Sequence, residues 1–333
     1  MGLKKYWNQL KDGFIQGMKE AEAEAKHADA AEPLEAEEVA PEPKKRTRKT
    51  STSRLRSKNP IVDAILEHKP VQLVKAPAPI SHREWAKRWR LDTASKFVRS
   101  DAEHSNALLF GVIADRMITA ERAWRVPYQL ADRLGHFDVK RIAKMKPTDL
   151  RAVFETPTSL HRFNAAMAEA YIESAQHLVA NHRGAAMNMW PPNVDAPTLL
   201  AELESLKGIS HKLSAMTLQI IVRDLGVPVA NISKVDIAVD RHVARVFLRT
   251  GLVGKAPKKV YRVGEIRADV IAVARKSLPQ FPGAIDLGAF LIGKASCTHT
   301  DPNCPHCPLN QVCPQDRRSW AIGVAASGRV KAE

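Results

Sequence analysis

Four cysteines near the end of the chain have the residue type and the spacing of a metal site. Cys297, Cys304, Cys307 and Cys313 form the pattern C-x6-C-x2-C-x5-C and are the only cysteines in the sequence. Four thiolates this close together can enclose either a tetrahedral zinc ion or a cubane iron–sulfur cluster. A disulfide framework would instead spread its cysteines along a secreted chain. The spacing therefore predicts a metal centre in a reducing compartment and leaves the choice of metal open.

A lysine, Lys212, follows a segment with the pattern of a helical hairpin. Residues 203–215 read L-E-S-L-K-G-I-S-H-K-L-S-A, so one helix ends before the glycine and a second begins near Lys212. The free N–H groups at the start of this second helix can bind a DNA phosphate. Taken alone, G-x-x-x-K is a weak signal and is more typical of a solvated surface lysine.

An aspartate 28 residues further on opens the segment V-D-R-H-V-A-R-V at residues 239–246. Asp240 precedes the apolar positions Val243, Val246 and Phe247, and this arrangement predicts a helix N-cap. An N-cap carboxylate is held rigidly and ionised, so Asp240 can serve the helix and act on a substrate at the same time.

Helical periodicity dominates the elements that must position these residues, and hairpin signals for β-strands are nearly absent. We therefore predict an all-α core. The expected helices cover about 82–99, 105–121, 126–135, 158–183, 196–206, 212–225, 240–250, 264–277 and 284–294.

The first 80 residues differ in composition from the rest. Alanine, proline and charge dominate residues 20–80, which predicts a largely disordered arm because little apolar surface can be buried. Apolar residues at three- and four-residue steps predict a short amphipathic helix at 3–18, which either docks on a membrane surface or partner or packs on its own domain. The basic run at 44–58 would add salt-sensitive, nonspecific DNA affinity.

The chain has a net charge of +15. Residues 1–80 contain 15 basic and 12 acidic residues, so +12 of this charge belongs to residues 81–333. The excess favours nucleic acid as a partner, ahead of an anionic membrane surface. No segment has the roughly 20 apolar residues of a membrane span, and no signal peptide pattern is present. We expect an intracellular protein, cytoplasmic and associated with the nucleoid if it is bacterial.

Together and in this order, the three motifs resemble the helix–hairpin–helix (HhH-GPD) DNA glycosylase superfamily, in particular its endonuclease III-like members with a C-terminal iron–sulfur loop. The resemblance covers about 103–315 and implies two helical lobes. A six-helix barrel at 103–232 would contain the hairpin at about 203–225, and residues 82–102 plus 233–320 would form an iron–sulfur lobe. It also implies a [4Fe–4S] cluster, with zinc as the alternative, in a structural and DNA-positioning role.

The activity implied by this resemblance is base-excision repair of double-stranded DNA that contains a damaged, modified or mismatched base. The enzyme would flip the base out and cleave its N-glycosidic bond. Lys212 would form a Schiff base that gives AP lyase activity by β-elimination, and Asp240 would face it across the cleft. The alternatives are a monofunctional glycosylase without lyase activity and a catalytically silent DNA-binding module. We expect a monomer, and the resemblance does not identify the base.

The expected DNA contacts fall into three groups: the hairpin, a wedge that fills the space left by the flipped base, and a basic loop. They comprise Gly208, Ile209, Ser210 and His211 in the hairpin, Arg116 as the wedge, and Lys255, Lys258 and Lys259 in the loop. Ser210 replaces a glycine of the family pattern, and it would cost about 1 kcal/mol if that position needed a positive φ. The alternatives are that Arg116 is a salt-bridged helix residue and that the three lysines form a solvated charge run.

Overall fold

The computed structural model describes residues 53–69, 72–73, 79–91, 95–254, 260–315 and 321–322. The predicted amphipathic helix at 3–18, most of the predicted arm, and the basic-loop residues Lys255, Lys258 and Lys259 lie outside these ranges. Within them, no helix combines the length and the apolar character that crossing a bilayer requires.

Helices make up most of the described chain, which confirms the all-α prediction. They are α1 (Pro60–His68), α2 (His82–Arg88), α3 (Asp101–Ala114), α4 (Ala120–Leu134), α5 (Val139–Ile142), α6 (Pro147–Glu155), α7 (Asn164–Asn181), α8 (Ala196–Ser205), α9 (His211–Arg223), α10 (Arg241–Arg249), α11 (Val263–Ser277) and α12 (Asp286–Ala295). Short 3-10 helices lie at Ala186–Met189, Ile232–Lys234, Pro282–Ile285 and Cys304–His306.

The strands of the described ranges are two residues long and form isolated pairs. They are β1 (Ser53–Arg54) antiparallel to β2 (Gln72–Leu73), β3 (Val194–Asp195) parallel to β4 (Val229–Ala230), and β5 (Val260–Tyr261) parallel to β6 (Ala321–Ile322). The β3–β4 pair ties the start of α8 to the segment that follows α9. These pairs fasten loops to the helical body and do not build a layer of the fold.

Polar cap residues set where several helices begin and end. Ser100 starts α3 with a capping box, in which its hydroxyl accepts the Glu103 N–H at 3.2 Å and the Glu103 carboxylate accepts the Ser100 N–H at 2.8 Å. Asp195 and Asp240 cap α8 and α10 by accepting backbone N–H groups. Gly135, with φ 69°, ends α4 in the left-handed conformation. Each N-cap satisfies amide groups that a helix end leaves unpaired.

Helix α3 is the centre of the first group of helices. Every residue from His104 to Ala114 is buried, so apolar surface surrounds the helix instead of following one stripe. This pattern is typical of a helix enclosed by others, and α3 packs against α2, α4, α7 and α9. Because α3 ends at Ala114, the next residue, Asp115, leaves the core at the point where α9 begins.

Helix α2 packs on this same group. Trp85 is 1% exposed, and its ring lies 6.1 Å from that of Trp124 in α4. His82 Nε2 accepts a hydrogen bond from Trp190 Nε1 at 3.0 Å, and burial lowers the pKa of His82 to about 4, which keeps the ring neutral. The sequence prediction placed 82–102 in the iron–sulfur lobe. In the structure α2 packs against α3 and α4, which lie in the segment predicted to form the barrel, and Trp85 is buried at this contact.

A second group contains α10, α11, α12 and α1. Helix α12 crosses α10 at Gly293, where an added Cβ would lie 2.7 Å from the His242 carbonyl oxygen. At Gly288 an added Cβ would overlap the carbonyl oxygen of Ile65 in α1. Real Cβ atoms do not make such contacts, so glycine at these two positions allows the three helix backbones to approach.

Residues 60–68 correct the prediction of a disordered arm that extends to residue 80. The Asn59 side chain caps α1 by accepting the Ile61 and Val62 N–H groups at 2.9 and 3.3 Å, and Pro60 occupies the first helical position. The buried side chains of this helix face α12. A nine-residue helix is marginal alone, and tertiary packing supplies the stabilisation that composition could not indicate.

Candidate active site

The hairpin predicted around Gly208 joins α8 to α9. Gly208 has φ +95°, and the buried Ile209 side chain anchors the turn. Ser210 is the N-cap of α9 and has an extended backbone, with φ −92° and ψ 167°. The left-handed residue of the turn is therefore Gly208, and serine at 210 does not carry the strain of a positive φ.

The N-terminus of α9 is left without a side-chain cap. The Ser210 hydroxyl makes no capping hydrogen bond. The exposed His211 side chain lies next to Glu204, with 2.8 Å between His211 Nδ1 and Glu204 Oε1. A helix N-terminus with open N–H groups and the positive end of the helix dipole attracts anions such as phosphate.

Lys212, the second residue of α9, faces Asp115 at the end of α3. Lys212 Nζ lies 3.7 Å from Asp115 Oδ2, and the two side chains are 32% and 15% exposed. Burial raises the pKa of Asp115, the Lys212 charge opposes that shift, and the charge of Asp240 adds to it. A carboxylate with a raised pKa beside an amine is a suitable acceptor for a proton of that amine.

Asp240 is the N-cap of α10, as the sequence predicted. Its Oδ1 accepts the backbone N–H groups of His242 and Val243, both at 2.8 Å. The half-buried carboxylate is thus held in one orientation. Its charge raises the pKa of Asp115 and also that of Asp286, so Asp240 lies within electrostatic reach of both.

Asp286, the first residue of α12, was not singled out from the sequence. Burial raises its pKa to about 7, and Asp240 adds to that shift while Arg223 and Lys212 oppose it. Lys212, Asp115, Asp240 and Asp286 therefore belong to one electrostatic group, which we call the Lys212 cluster. Asp286 exchanges its proton near neutral pH, so the total charge of the cluster changes there.

The four predicted metal-binding cysteines converge as the spacing indicated. All four are half-buried, none forms a disulfide, and all line one pocket that is closed on its other sides by residues such as Val246 and Leu309. Burial raises the pKa of Cys307, and the charges of the other three cysteines contribute to the shift. Four thiolates that repel one another in this way need a bound cation, so the donor set fits a metal centre.

Two buried arginines of α10 connect the cysteine segment to Asp240. Arg245 donates to the carbonyl oxygens of Cys297 and Gly293, both at 2.5 Å. Arg249 donates to Cys297 Sγ at 3.6 Å and to the Thr298 carbonyl oxygen at 2.5 Å. The helix that begins at Asp240 therefore also holds the first cysteine of the loop.

Residues 110–266 match the family model of the HhH-GPD superfamily, described as base excision DNA repair proteins. These residues form an HhH-GPD domain. The matched segment contains the hairpin, Lys212 and Asp240, and it ends before the cysteines. The family prediction is confirmed.

Three solved structures similar to this HhH-GPD chain share low sequence identity with it. A trapped covalent intermediate of endonuclease III with DNA is 20% identical, has a TM-score of 0.45, and is matched over 71% of this chain and 93% of its own. A thermostable thymine-DNA glycosylase is 14% identical, with a TM-score of 0.42 and coverage of 70% and 94%. The 8-oxoguanine DNA glycosylase from Pyrobaculum aerophilum is 17% identical, with a TM-score of 0.40 and coverage of 79% and 92%. No curated protein sequence matches the chain.

The loop between α3 and α4 carries the predicted wedge residue of this HhH-GPD domain. Arg116 is exposed and lies beyond the end of α3, so it is not the helix residue of the alternative interpretation. Its neighbour Met117 was not singled out from the sequence, yet it is 68% exposed and has φ 59°. Both residues come shortly after Asp115, the residue that faces Lys212.

Two acidic residues of the Lys212 cluster escaped the sequence reasoning. Asp115 follows an apolar helix and Asp286 stands in the apolar segment P-G-A-I-D-L-G-A-F, so each is an acidic residue at the end of a buried element. That signal is weak, because an acidic residue at a helix end is commonly a cap or a solvated group. Their role depends on contacts with Lys212 and Asp240, which lie far away in the sequence.

Proposed function

We propose that this HhH-GPD protein is a DNA glycosylase that flips a damaged, modified or mismatched base out of a duplex and cleaves its N-glycosidic bond, with an associated AP lyase activity. The Lys212 cluster carries the proposal. An amine 3.7 Å from a carboxylate of raised pKa, near a rigidly held second carboxylate, is suited to nucleophilic chemistry. A module that only binds DNA needs no such arrangement.

The uncapped N-terminus of α9 supports a DNA phosphate contact next to this cluster. The +12 charge of residues 81–333 favours the same polyanion. A base within a duplex is out of reach of Lys212, so it must leave the stack at a cost of a few kcal/mol. We propose that Arg116 and Met117, which are exposed, fill the space that the base leaves. We expect one copy of the chain to suffice.

The excision step draws on the charge of Asp240. As the N-glycosidic bond breaks, positive charge develops on the sugar, and an ionised carboxylate stabilises it. Neutral Lys212 Nζ bonds to C1′ while the base leaves with the bonding electrons and takes up a proton. Loss of a proton from Nζ, together with cleavage of the C1′–O4′ bond and protonation of O4′, gives the Schiff base. Removal of a C2′ proton then expels the 3′ phosphate.

Asp115 supports the proton transfers of this sequence. It is the carboxyl group in contact with Lys212 Nζ, and its raised pKa makes it a better base than an ordinary aspartate. We propose that Asp115 accepts the proton that Lys212 must lose before it attacks C1′. Asp240, whose oxygen is occupied by two N–H groups of α10, keeps the electrostatic role.

The cysteine segment is proposed to hold a [4Fe–4S] cluster through Cys297, Cys304, Cys307 and Cys313. A single zinc ion would draw four sulfurs to about 3.8 Å from one another and leave no space between them. All four cysteines line one pocket, which supports a single shared centre, and the resemblance to endonuclease III-like proteins favours the larger group. When bound, the cluster would act structurally, by fixing the cysteine segment against α10. An absorbance band in the visible region together with iron analysis distinguishes it from zinc.

Borohydride trapping on DNA tests the proposed lyase step. The wild-type protein is incubated with duplexes that carry single damaged, methylated or mismatched bases, or an abasic site, and borohydride reduces any Schiff base to a stable link. We expect trapping by the wild type and none by Lys212→Gln. Lys144→Gln, which changes an exposed lysine of the first helix group, is the matched control and should trap normally.

The same panel separates the alternatives. Strand nicking without added base supports the glycosylase–lyase, whereas nicking only after alkali treatment indicates a monofunctional glycosylase and removes the nucleophilic role of Lys212. Binding without excision of any base in the panel contradicts the proposal and indicates a silent binding module. Full trapping by Lys212→Gln also contradicts it.

A further inference from the structure

A second group of potential metal ligands lies away from the cysteines, between α7 and α8. His177 Nε2 and His182 Nε2 both point at Glu202 Oε1, at 3.0 and 2.5 Å. The ligand atoms of these three residues all lie within 4.8 Å of one another. Nothing in the proposed repair chemistry uses them.

The end of α7 brings the two histidines together. Residues five apart on a regular helix point in directions about 140° apart, so they would not share a ligand. His182 is the C-cap residue of α7, and the following Arg183 and Gly184 have φ 55° and 81°. The Gly184 N–H donates to the Leu178 carbonyl oxygen at 2.8 Å, which closes the turn. The reversal places the His182 ring 5.4 Å from that of His177.

The arrangement is close to what a metal ion requires. Ligand atoms 2.0–2.1 Å from a tetrahedral zinc ion are separated by about 3.3 Å. The distances of 3.0 and 2.5 Å from the two Nε2 atoms to Glu202 Oε1 need only small side-chain shifts to reach this value. Entry of a cation would replace two crowded contacts to one oxygen with three bonds to the ion. It would also neutralise the carboxylate charge.

The surroundings suit a bound ion that keeps contact with solvent. The side chains of His177, His182 and Glu202 are 25%, 12% and 26% exposed, so an ion can enter and water can complete its coordination. The Asn181 amide lies 3.3 Å from His177 Nδ1. After an amide flip its oxygen can accept the Nδ1–H of a metal-bound imidazole, which is the usual support for such a ligand.

We propose that His177, His182 and Glu202 bind a divalent transition-metal ion, with zinc as the first candidate. Two imidazoles and one carboxylate select zinc and its neighbours over magnesium or calcium, which prefer oxygen donors. The ion links the end of α7 to α8, the helix that leads into the Gly208 hairpin. Its role is to stabilise this helix pair, and base excision does not pass through it.

Metal titration of the full-length protein, with its cysteine site loaded beforehand, tests the proposal. Isothermal titration with ZnCl2 should show one added site, and MgCl2 should show none. Glu202→Gln and His182→Asn should each weaken zinc binding at least tenfold. His68→Asn, which changes an exposed histidine at the end of α1, is the matched control and should bind like the wild type.

Cobalt distinguishes this site from the cysteines. Co²⁺ bound here should show visible bands without the intense sulfur-to-metal charge transfer that thiolate ligands give. Zinc should also raise the melting temperature of the wild type and not that of Glu202→Gln. The comparison requires that Glu202→Gln and His182→Asn have the circular dichroism spectrum of the wild type without added metal. The absence of any added zinc site in the wild type would overturn the proposal, as would unchanged zinc affinity in Glu202→Gln.

Discussion

Replacement of Asp286 by asparagine should make the stability of the protein less dependent on pH. Asp286 is buried at the start of α12, and its pKa is raised from 3.8 to about 7, chiefly by burial and then by the charge of Asp240. The protonated form is therefore favoured in the folded state. The contribution of this group to stability is fully present below pH 3.8 and is lost as the pH rises through 7.

The size of the effect follows from the shift. Each pKa unit corresponds to about 1.36 kcal/mol, so ionisation of the wild-type residue costs about 4 kcal/mol of unfolding free energy above pH 7. At pH 5 the same linkage costs about 1.5 kcal/mol, because the unfolded chain is already ionised. Asp286→Asn stays neutral at every pH. The free energy of unfolding of Asp286→Asn minus that of the wild type should therefore increase by about 2–3 kcal/mol between pH 5 and pH 8.5.

Urea unfolding of both proteins at pH 5, 6.5 and 8.5, with equal metal loading, measures this gain. The comparison uses only how the difference in unfolding free energy between the two proteins varies with pH. A cost of the substitution that is the same at every pH therefore cancels. Asp132→Asn, which changes an exposed aspartate of α4, is the matched control for the loss of one carboxyl group. If the difference in unfolding free energy between Asp286→Asn and the wild type stays constant within about 0.5 kcal/mol across these pH values, burial does not raise the pKa of Asp286.

Three further substitutions separate structural from functional roles. Asp240→Asn keeps a capping oxygen, so the free energy of unfolding should change by less than about 1 kcal/mol. Single-turnover base excision should nevertheless slow by about 100- to 1,000-fold. An unchanged excision rate would remove Asp240 from the mechanism. Gly208→Ala, at φ +95°, should cost about 1 kcal/mol and lower DNA affinity in fluorescence anisotropy, while Gly264→Ala, with open space at its Cβ, should do neither. Arg249→Gln removes the donor to Cys297 Sγ and should lower the metal content measured by elemental analysis; a full complement of metal would show that Arg249 does not support the site.

Periodicity predicted five of the nine expected helices to within two residues at each end, whereas the helix expected over 82–99 ends at Arg88. The expected helices at 196–206 and 264–277 correspond to Ala196–Ser205 and Val263–Ser277. The missed helices are α1, α5 and α6, and two of them begin with proline: Pro60 starts α1 and Pro147 starts α6. Proline breaks a helix in its interior but is favoured in the first turn, so treating it only as a breaker hides helices.

The motif order selected Lys212, Asp240 and the four cysteines, and the structure brings each set into a defined environment. Sequence reasoning could not select Asp115 or Asp286. Asp115 reaches Lys212 because the buried helix α3 ends beside α9, and Asp286 reaches Asp240 because glycine lets α12 pack closely on α10. The His177, His182 and Glu202 group depends in the same way on the turn that ends α7.

By itself, the sequence determined the all-α class, the superfamily and the motif residues, because residue type, periodicity and spacing are local properties that survive in the linear chain. Tertiary structure alone decided which carboxyl groups lie near Lys212, which of them have a raised pKa, and that residues 60–68 are folded. These properties depend on burial and on distances between residues far apart in the sequence. A pKa shift, a shared ligand atom and a close helix crossing arise only when such residues pack together.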